Sequence, residues 1–354
     1  MSQSNNMDIT SLHEISPYIG RFSAKRAQML LKRYAKPGYT IIDPFCGSSV
    51  LPLEAAIYGC NVIASDINPY AIVQSRAKLF PPATIDCALN TINQVKNKDI
   101  LNKSIKRKTP QWVRAFYHPR TLKEIIAYLD FLLNKKHYFH IACLLGILHH
   151  QRPGFLSYPS SHTTPYLREN KFPRQDYPEL YGYRAVRKRL IKKINRTMRR
   201  SVTIDSKIKR SVIHSNVQNL NIPESCSDLC ITSPPYMNNL SYGRDNRLRL
   251  WFLGIEDWKY YDICGYHTLS EFTELMDCFF KKLYIFLKNK GLCVLVVGEA
   301  RRVNILNVFK ESGNNNGFNL EDEYNESIPD VKRTRKGYAG TISETVLVFK
   351  KRSL

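Results

Sequence analysis

Two short apolar runs, each followed by a segment with helical spacing, limit what this 354-residue chain can fold into. Residues 39–43 (YTIID) and 61–66 (NVIASD) have the length and the β-branched content of buried strands. The segment GSSVLPLEAAIYG follows the first strand with helical spacing, and Pro69 begins a second helix that runs through Leu79. Strands and helices in this alternating order are typical of a parallel sheet covered by helices, so the sequence predicts an α/β fold.

The strand pattern stops near Phe80 and resumes at residues 211–215 (SVIHS). Between them lie apolar helices and a long loop rich in proline and tyrosine. DLCIT and GLCVLVVGE continue the sheet, and FNLEDEYNESI and ETVLVFKK predict a C-terminal antiparallel hairpin. We therefore expect a Rossmann-like sheet that is split by a mainly helical insertion. The predicted domain boundaries divide the chain into residues 1–80, the helical insertion 81–210 and residues 211–354.

The formal charge of +23 indicates a surface that attracts polyanions, nucleic acid first and an anionic membrane second. No apolar run is long enough to span a bilayer, and the first residues lack the apolar region of a signal peptide. The nine cysteines are scattered, which fits reduced thiols in a cytoplasmic protein. His137, His140 and Cys143 share one helix face, but no second cluster completes a metal site. We expect them to line a helix–helix contact and expect no metal.

The segment DPFCGSS places Gly47 where the chain turns from the first strand to the first helix. It contains only one glycine of the dinucleotide pattern GxGxxG and is not followed by the GK[ST] of a P-loop, so it suits a cofactor without a phosphate chain. Asp66 ends the second strand, where a carboxylate can accept two hydrogen bonds from a ribose diol. The alternative role for Asp66 is capping of the helix at Pro69. Together the two segments predict a cofactor that contains a nucleoside.

The segment TSPPY ends the DLCIT strand with Ser233, Pro234, Pro235 and Tyr236. Proline fixes φ, so the direction of the Pro234 carbonyl is set before any substrate arrives. A hydroxyl and a carbonyl can accept hydrogen bonds from a nucleobase amine, and a tyrosine ring can stack on a base turned out of its helix. The alternative is a loop that ends a strand and packs its tyrosine.

The pair DPFCGSS and TSPPY resembles the amino-methyltransferases of DNA, over Tyr18 to Leu79 and from Ser211 onwards. The resemblance implies a class I methyltransferase sheet, S-adenosylmethionine as cofactor, and direct transfer to a flipped base. Serine as the first residue is commonest among the cytosine-N4 enzymes. The predicted catalytic residues are Ser233, Pro234, Pro235 and Tyr236. The predicted cofactor-binding residues are Phe22, Asp43, Pro44, Phe45, Cys46, Gly47, Ser48, Asp66, Ile67 and Asn216.

Three features differ from the family pattern. Ser49 stands where glycine is usual, and Asn216 stands where an aspartate often contacts the adenine ring. The cofactor motif precedes the catalytic motif, whereas many cytosine-N4 enzymes have the reverse order. We therefore keep three alternatives: an adenine-N6 DNA enzyme, an RNA base-amine methyltransferase, and a catalytically silent nucleic-acid-binding protein. A C5-cytosine mechanism needs a cysteine after a proline, and none of the nine cysteines follows one.

The segment RAVRKRLIKKINRTMRR predicts an amphipathic helix with one basic stripe and one apolar stripe. The apolar stripe is Val186, Leu190, Ile194 and Met198. The basic stripe, our predicted DNA-binding set, is Arg184, Lys188, Lys192, Arg196 and Arg200. The alternative is a solvated basic face, which is the usual position of such runs. We therefore expect residues 1–80 to form the cofactor-binding half, residues 81–210 the region that recognises the DNA target, and residues 211–354 the catalytic half. DNA is the predicted partner and a cognate restriction endonuclease is a candidate partner, whereas the sequence does not determine the oligomeric state.

Overall fold

The computed structural model describes residues 9–95, 108–162, 164–235, 241–263, 268–298, 305–326 and 344–353. The chain forms two compact units, which we call the sheet unit and the helical unit. The sheet unit consists of Gly20–Ser75, Ile204–Gly243 and Lys259–Leu354. The helical unit consists of Met1–Ile19, Arg76–Thr203 and Arg244–Trp258. The domain boundaries at residues 80 and 210 stay a prediction.

Seven strands of the described residues form one sheet in the order β3-β2-β1-β4-β5-β7-β6. They are β1 (Thr40–Asp43), β2 (Asn61–Asp66), β3 (Arg210–His214), β4 (Ser227–Thr232), β5 (Leu287–Gly298), β6 (Phe318–Glu326) and β7 (Glu344–Lys351). The first five pair in parallel, whereas β7 runs antiparallel to both β5 and β6. The predicted α/β class, with its C-terminal antiparallel pair, is confirmed.

The register of the central strands decides which loops meet. Ile42 of β1 pairs with Ile63 of β2 on one side and with Cys230 of β4 on the other. Because parallel strands end at the same edge of a sheet, the loops after β1, β2 and β4 leave from neighbouring positions. These are the loops that carry DPFCGSS, SDINP and TSPPY.

The helices follow the strands in the order expected of parallel crossovers. The first six are α1 (Ala24–Tyr34), α2 (Val50–Ile57), α3 (Pro69–Leu79), α4 (Ile85–Asn93), α5 (Gln111–Arg114) and α6 (Pro119–Asn134). The others are α7 (Tyr138–Gly146), α8 (Val186–Met198), α9 (Tyr242–Phe252), α10 (Tyr260–Ile263), α11 (Leu269–Phe286) and α12 (Ile305–Asn315). Among the described helices, none is long and apolar enough to cross a lipid bilayer.

An aromatic core lies between the sheet and α11. Thr268 and Glu271 form a reciprocal capping box at the start of α11, which satisfies backbone N–H groups that a helix start otherwise leaves unpaired. Phe280 of α11 contacts Phe318 of β6 and Phe349 of β7, with ring centroids 5.4 and 5.1 Å apart. This apolar burial fixes the face of the sheet that α11 covers.

The helical unit is tied to the start of the chain by hydrogen bonds. Ser11 Oγ donates to the Thr197 carbonyl at 2.7 Å, and Lys193 Nζ donates to the Glu14 carbonyl at 2.7 Å. Burial lowers the pKa of Lys193 to about 8. His140 Nε2 donates to the Ala88 carbonyl of α4 at 2.8 Å, so this histidine lies at a helix–helix contact.

Gly146, the last residue of α7, provides a stability test of this contact between the chain start and the helices. A Cβ atom added there would lie 2.3 Å from the Ile15 carbonyl oxygen, a backbone atom that cannot simply rotate away. We expect Gly146→Ala to reduce the free energy of unfolding by about 1–3 kcal/mol, the usual effect of overpacking. Urea denaturation would measure the change. Gly154→Ala is the matched control, since a Cβ there meets nothing within 4 Å, and equal loss in both variants would contradict the prediction.

Candidate active site and the basic face of the helical unit

The loop between β1 and α2 is held by unusual backbone angles. Gly47 has φ +47° and Ser49 has φ +55°, both in the left-handed region. Ser49 N donates to the Cys46 carbonyl at 2.6 Å, which closes the turn before α2. A serine in this conformation costs on the order of 1 kcal/mol that glycine avoids. Ser49, at the position where the resembling family usually has glycine, therefore adopts a left-handed conformation at a cost that glycine would avoid.

Asp66, at the end of β2, is joined directly to this loop. Its Oδ2 accepts a hydrogen bond from Gly47 N at 2.8 Å, and its Oδ1 accepts one from Asn68 N at 2.8 Å. Burial raises the pKa of this half-buried carboxyl to about 6, although the backbone donors act in the opposite direction. A carboxylate has about four lone-pair directions, so Asp66 keeps acceptor capacity for hydroxyl groups.

Asp43, at the end of β1, is joined to the other motif. Its Oδ1 accepts a hydrogen bond from Thr232 Oγ1 at 2.6 Å and one from Phe45 N at 3.3 Å. Asp43 is only 4% exposed and Thr232 only 1%. Burial raises the pKa of Asp43 to about 7, and the two hydrogen bonds limit that rise. The first residue of DPFCGSS and the first residue of TSPPY are therefore in direct contact.

The described part of TSPPY leaves the sheet directly after this contact. Ser233 and Pro235 are half-buried and Pro234 is buried. Tyr236 lies outside the described residues, so its predicted stacking role stays a prediction. The catalytic roles of Ser233, Pro234 and Pro235 also stay predictions, whereas their location beside the DPFCGSS loop is a feature of the fold.

The loop after β3 lies beside the end of β2 and carries one predicted cofactor residue, Asn216. Ser65 Oγ donates to the Ser215 carbonyl at 3.0 Å, which fixes the end of β3 beside β2. Asn216 Oδ1 accepts from Asn219 N at 2.8 Å, so its amide oxygen holds its own turn. His214 Nε2 donates to the Ile67 carbonyl at 2.8 Å. The cofactor roles of Ile67 and Asn216 stay predictions.

Two predicted cofactor residues have packing partners in the sheet unit. The Phe45 ring lies 5.5 Å from the Phe279 ring of α11, centroid to centroid. Cys46 Sγ lies 3.3 Å from Ser75 Oγ, and burial raises the pKa of this thiol well above its ordinary value. A buried neutral thiol is a poor nucleophile, which argues against a covalent role for Cys46, and the cofactor contacts of Phe45 and Cys46 stay predictions. Pro44 and Ser48 are buried and Phe22 is half-buried just before α1, and their cofactor contacts stay predictions.

Asn68 is a site residue that the sequence analysis missed. Its Oδ1 accepts from Tyr70 N at 2.9 Å, which caps the start of α3. Its Nδ2 is buried and has no hydrogen-bond partner among the described residues. A buried donor beside Asp66 is a group that a bound ligand can satisfy. The Asn-Pro pair in SDINP was the available signal, but it indicates a helix start equally well.

These groups fit a cofactor that contains a nucleoside and a cationic centre. Asp66 offers acceptors for a ribose diol, and Asn68 offers an unpaired donor next to it. The pKa of about 6 leaves the Asp66 carboxyl mostly ionised at pH 7, and this negative charge at the edge of the sheet favours positive charge in a ligand. Among the described residues, no three His, Cys, Asp or Glu side chains are arranged to hold a metal ion.

Comparison with known proteins agrees with this chemistry. The family model described as "UPF0020: RMKL-like, methyltransferase domain" matches residues 20–107. Residues 20–107 of this chain are therefore similar to a methyltransferase domain. S-adenosylmethionine is the cofactor of this methyltransferase domain. These matches support the expected methyltransferase domain and its cofactor, whereas the activity of the whole protein stays a prediction.

Two curated relatives share the methyltransferase designation. Type II methyltransferase M.MjaII of Methanocaldococcus jannaschii is 37% identical over 68 residues, which are 19% of this chain and 13% of that protein. Type II methyltransferase M.BsoBI of Geobacillus stearothermophilus is 21% identical over 332 residues, 81% of this chain and 62% of that protein. The chain thus spans less than two thirds of either relative. Among solved structures, TrmN from Thermus thermophilus aligns with TM-score 0.39 and 13% identity, covering 96% of this chain and 52% of that chain.

In the helical unit, α8 has the predicted apolar stripe, since Val186, Leu190, Ile194 and Met198 are all buried. On its other side Lys188, Lys192 and Arg196 are exposed, and Arg200 is exposed just beyond the helix end. These four residues form what we call the basic face. Their predicted contact with DNA stays a prediction.

The predicted position of Arg184 on the basic face is wrong. Helix α8 begins at Val186, so Arg184 lies in the extended segment before it. Its side chain is buried, and its guanidinium donates to the Phe155 carbonyl at 2.9 Å and to the Leu180 carbonyl at 2.6 Å. Burial lowers the pKa of Arg184 to about 10. Arg184 therefore holds the long loop and is not available to phosphates.

Proposed function

We propose that this chain is a DNA methyltransferase that transfers a methyl group from S-adenosylmethionine to an exocyclic base amine, cytosine N4 before adenine N6. The observation that carries the proposal is the hydrogen bond between Asp43 and Thr232. It joins the loop suited to the cofactor and the loop suited to the amine, 189 positions apart in the chain. Direct methyl transfer requires the loop that holds the cofactor and the loop that holds the amine to lie next to each other.

The proposed chemistry depends on hydrogen-bond acceptors. S-adenosylmethionine would supply an electrophilic methyl group. The lone pair of a nucleobase amine is delocalised into the ring, so the amine is a weak nucleophile. Ser233 Oγ and the Pro234 carbonyl would accept hydrogen bonds from its two N–H groups, localise the lone pair on nitrogen and stabilise the developing positive charge. No covalent bond between enzyme and base is needed.

The choice of DNA and of cytosine N4 is supported by family resemblance and by charge. Serine as the first residue of SPPY favours cytosine N4 by family resemblance, and two relatives are named Type II methyltransferases. The net charge of +23 supports a nucleic acid in general. A restriction endonuclease is the proposed partner on the same resemblance. A cytoplasmic location is proposed because the described cysteines are all free thiols.

The long loop of the helical unit offers a second surface for nucleic acid. Tyr166, Tyr177 and Tyr183 are 50, 40 and 38% exposed. The guanidinium of Arg120 lies 4.3 Å from the centre of the Tyr183 ring. Exposed rings beside arginines suit stacked bases and phosphates. By contrast, residues 157–161 are buried, so this part of the loop cannot meet bases.

The basic face provides a test of DNA binding by its salt dependence. Each phosphate contact contributes about 0.9 to the slope of log K against log salt concentration. We expect the triple replacement of Lys188, Lys192 and Arg196 by alanine to reduce that slope by about 2–3. Fluorescence anisotropy with a labelled duplex at several salt concentrations would measure it.

The matched control is the triple replacement of Lys32, Lys36 and Lys281 by alanine. These three lysines are exposed in the sheet unit, so the control removes the same net charge. We expect its slope to remain near that of the wild type. Equal slopes in the two triple variants would show that α8 contributes only general charge, as in a solvated basic face.

A single assay tests the proposed function. The protein is incubated with S-adenosylmethionine labelled in its methyl group and with unmodified duplex DNA or RNA, and the digested nucleosides are identified by mass. We expect N4-methyldeoxycytidine. N6-methyldeoxyadenosine would overturn the choice of base, and label in RNA alone would overturn the choice of DNA. Cofactor binding without any transfer would indicate a silent nucleic-acid-binding protein.

A further inference from the structure

Thr232 is the first residue of TSPPY, but its side chain has no assigned role in binding the cofactor or the amine. It is the last residue of β4 and directly precedes Ser233. On the far side from β1, Thr232 pairs with Leu295 of β5, so the strand neighbour there is apolar. A valine has the same shape and would suit a buried strand end equally well. The hydroxyl therefore needs its own explanation.

The hydroxyl has a specific partner. Thr232 Oγ1 donates to Asp43 Oδ1 at 2.6 Å, a shorter contact than the 3.3 Å from Phe45 N to the same oxygen. Both side chains are almost fully buried, at 1% and 4% exposure. A short hydrogen bond to a carboxyl in a dry environment is among the stronger ones in proteins and tolerates little displacement.

The geometry points to a positional role for this bond. The carboxyl is attached to the loop that turns at Gly47, and the hydroxyl is attached to the residue before Ser233. The threonine side chain is restricted at χ1, so fixing its hydroxyl also fixes the backbone that leads into Ser233 and Pro234. We propose that Thr232 is a positioning residue, whose hydroxyl sets where Ser233 and Pro234 lie relative to the Asp43–Gly47 loop. This inference rests on the proposed function.

The test compares Thr232→Val with Thr232→Ser. Valine keeps the shape and removes the hydroxyl, whereas serine keeps the hydroxyl and removes the methyl group. We expect Thr232→Val to lower kcat by about 10- to 10²-fold, the effect of a displacement of about 1 Å at a reacting centre. The Kd for S-adenosylmethionine, measured by calorimetry, should change by less than about threefold, and Thr232→Ser should restore kcat to within about threefold of the wild type.

A mutant cycle identifies the partner of the hydroxyl. Asp43→Ala removes the acceptor, so adding Thr232→Val to it should lower kcat by less than about twofold more. If Thr232→Val does not give a cooperative thermal transition, Thr232→Ala replaces it in both comparisons. Full additivity in the cycle would show that the hydroxyl acts through some other group.

The outcomes separate this inference from the proposed function. An active wild type with an equally active Thr232→Val variant overturns the role of Thr232 alone. Equal losses in Thr232→Val and Thr232→Ser also overturn it, because the methyl group would then be the part that matters. A wild type that binds S-adenosylmethionine but transfers no methyl group to DNA or RNA overturns the proposed function, and this role with it.

Discussion

Replacement of Ser233 by alanine is expected to lower kcat for methyl transfer by about 10²-fold or more, while the Kd for S-adenosylmethionine stays within about twofold of the wild type. The hydroxyl would act on the amine only as its charge develops, so its loss affects the transition state and not cofactor binding. The structure supports the separation of the two effects, because Asp66 and Gly47, which suit the cofactor, form their own hydrogen bond in a different loop.

The measurement combines labelled methyl transfer under saturating cofactor with calorimetry of S-adenosylmethionine binding. Ser270→Ala is the matched control, since Ser270 is an exposed serine in the first turn of α11. It should retain wild-type kcat and wild-type Kd. A Ser233→Ala variant with wild-type kcat would remove Ser233 from the proposed mechanism, and a large rise in its Kd would reassign Ser233 to cofactor binding.

Elements whose ends are marked by local sequence signals, such as a proline or a short apolar run, were predictable from sequence. Strand β2, helix α3 and strand β7 begin and end at the residues that the sequence indicates. Pro69 has the fixed φ and lacks the N–H that suit the first position of a helix, so the start of α3 is set locally. The strands carry short apolar runs that only a buried position satisfies. Local rules therefore account for the sheet and for the loops that bear the two motifs.

Contacts distant in sequence were not predictable. The i+4 spacing extends through Arg184, yet the helix starts two residues later and Arg184 binds carbonyl groups. The segment 9–19 belongs to the helical unit because Ser11 and Thr10 bond to Thr197 and Arg200 near the end of α8. No local pattern encodes such bonds, since their partners lie almost 190 positions away.

The candidate site likewise has one part that the sequence predicted and one part that it did not. The sequence identified Asp66 with two competing roles, diol binding and helix capping. The structure shows that one carboxyl oxygen accepts from Asn68 N before α3 while the other accepts from Gly47 N. Turn formation therefore orients the carboxyl without using its full acceptor capacity. The bond from Thr232 to Asp43 had no sequence signal, because threonine at a strand end is ordinary.

Replacement of Asp66 by asparagine is expected to weaken S-adenosylmethionine binding by about 10²-fold or more. Two hydrogen bonds to a charged acceptor contribute about 1.5–3 kcal/mol each, and an amide cannot accept through its nitrogen. One of the backbone donors, Gly47 N or Asn68 N, would also face an NH₂ group and lose its partner. Isothermal calorimetry with S-adenosylmethionine would measure the loss.

Asp205→Asn is the control for the local turn. Asp205 is exposed, and its Oδ1 accepts from Lys207 N at 2.9 Å, the same i to i+2 bond that Asp66 makes with Asn68. The amide oxygen of asparagine can still accept from Lys207 N, so the control removes only the negative charge at such a turn, and it should bind S-adenosylmethionine as the wild type does. Equal weakening in both variants would trace the effect to the fold and not to the diol acceptor.

The pH dependence of binding gives an independent test of Asp66. Burial raises its pKa to about 6, so the ionised form that accepts two hydrogen bonds predominates only above that pH. Affinity of the wild type should therefore fall as pH decreases through about 6, by up to about tenfold per unit below it. Asp43, with a pKa of about 7, adds a separate decrease at higher pH. Asp66→Asn should lose the lower step and move the upper one to lower pH, because the negative charge of Asp66 contributes to the raised pKa of Asp43. A lower step that persists in Asp66→Asn would assign that titration to another group.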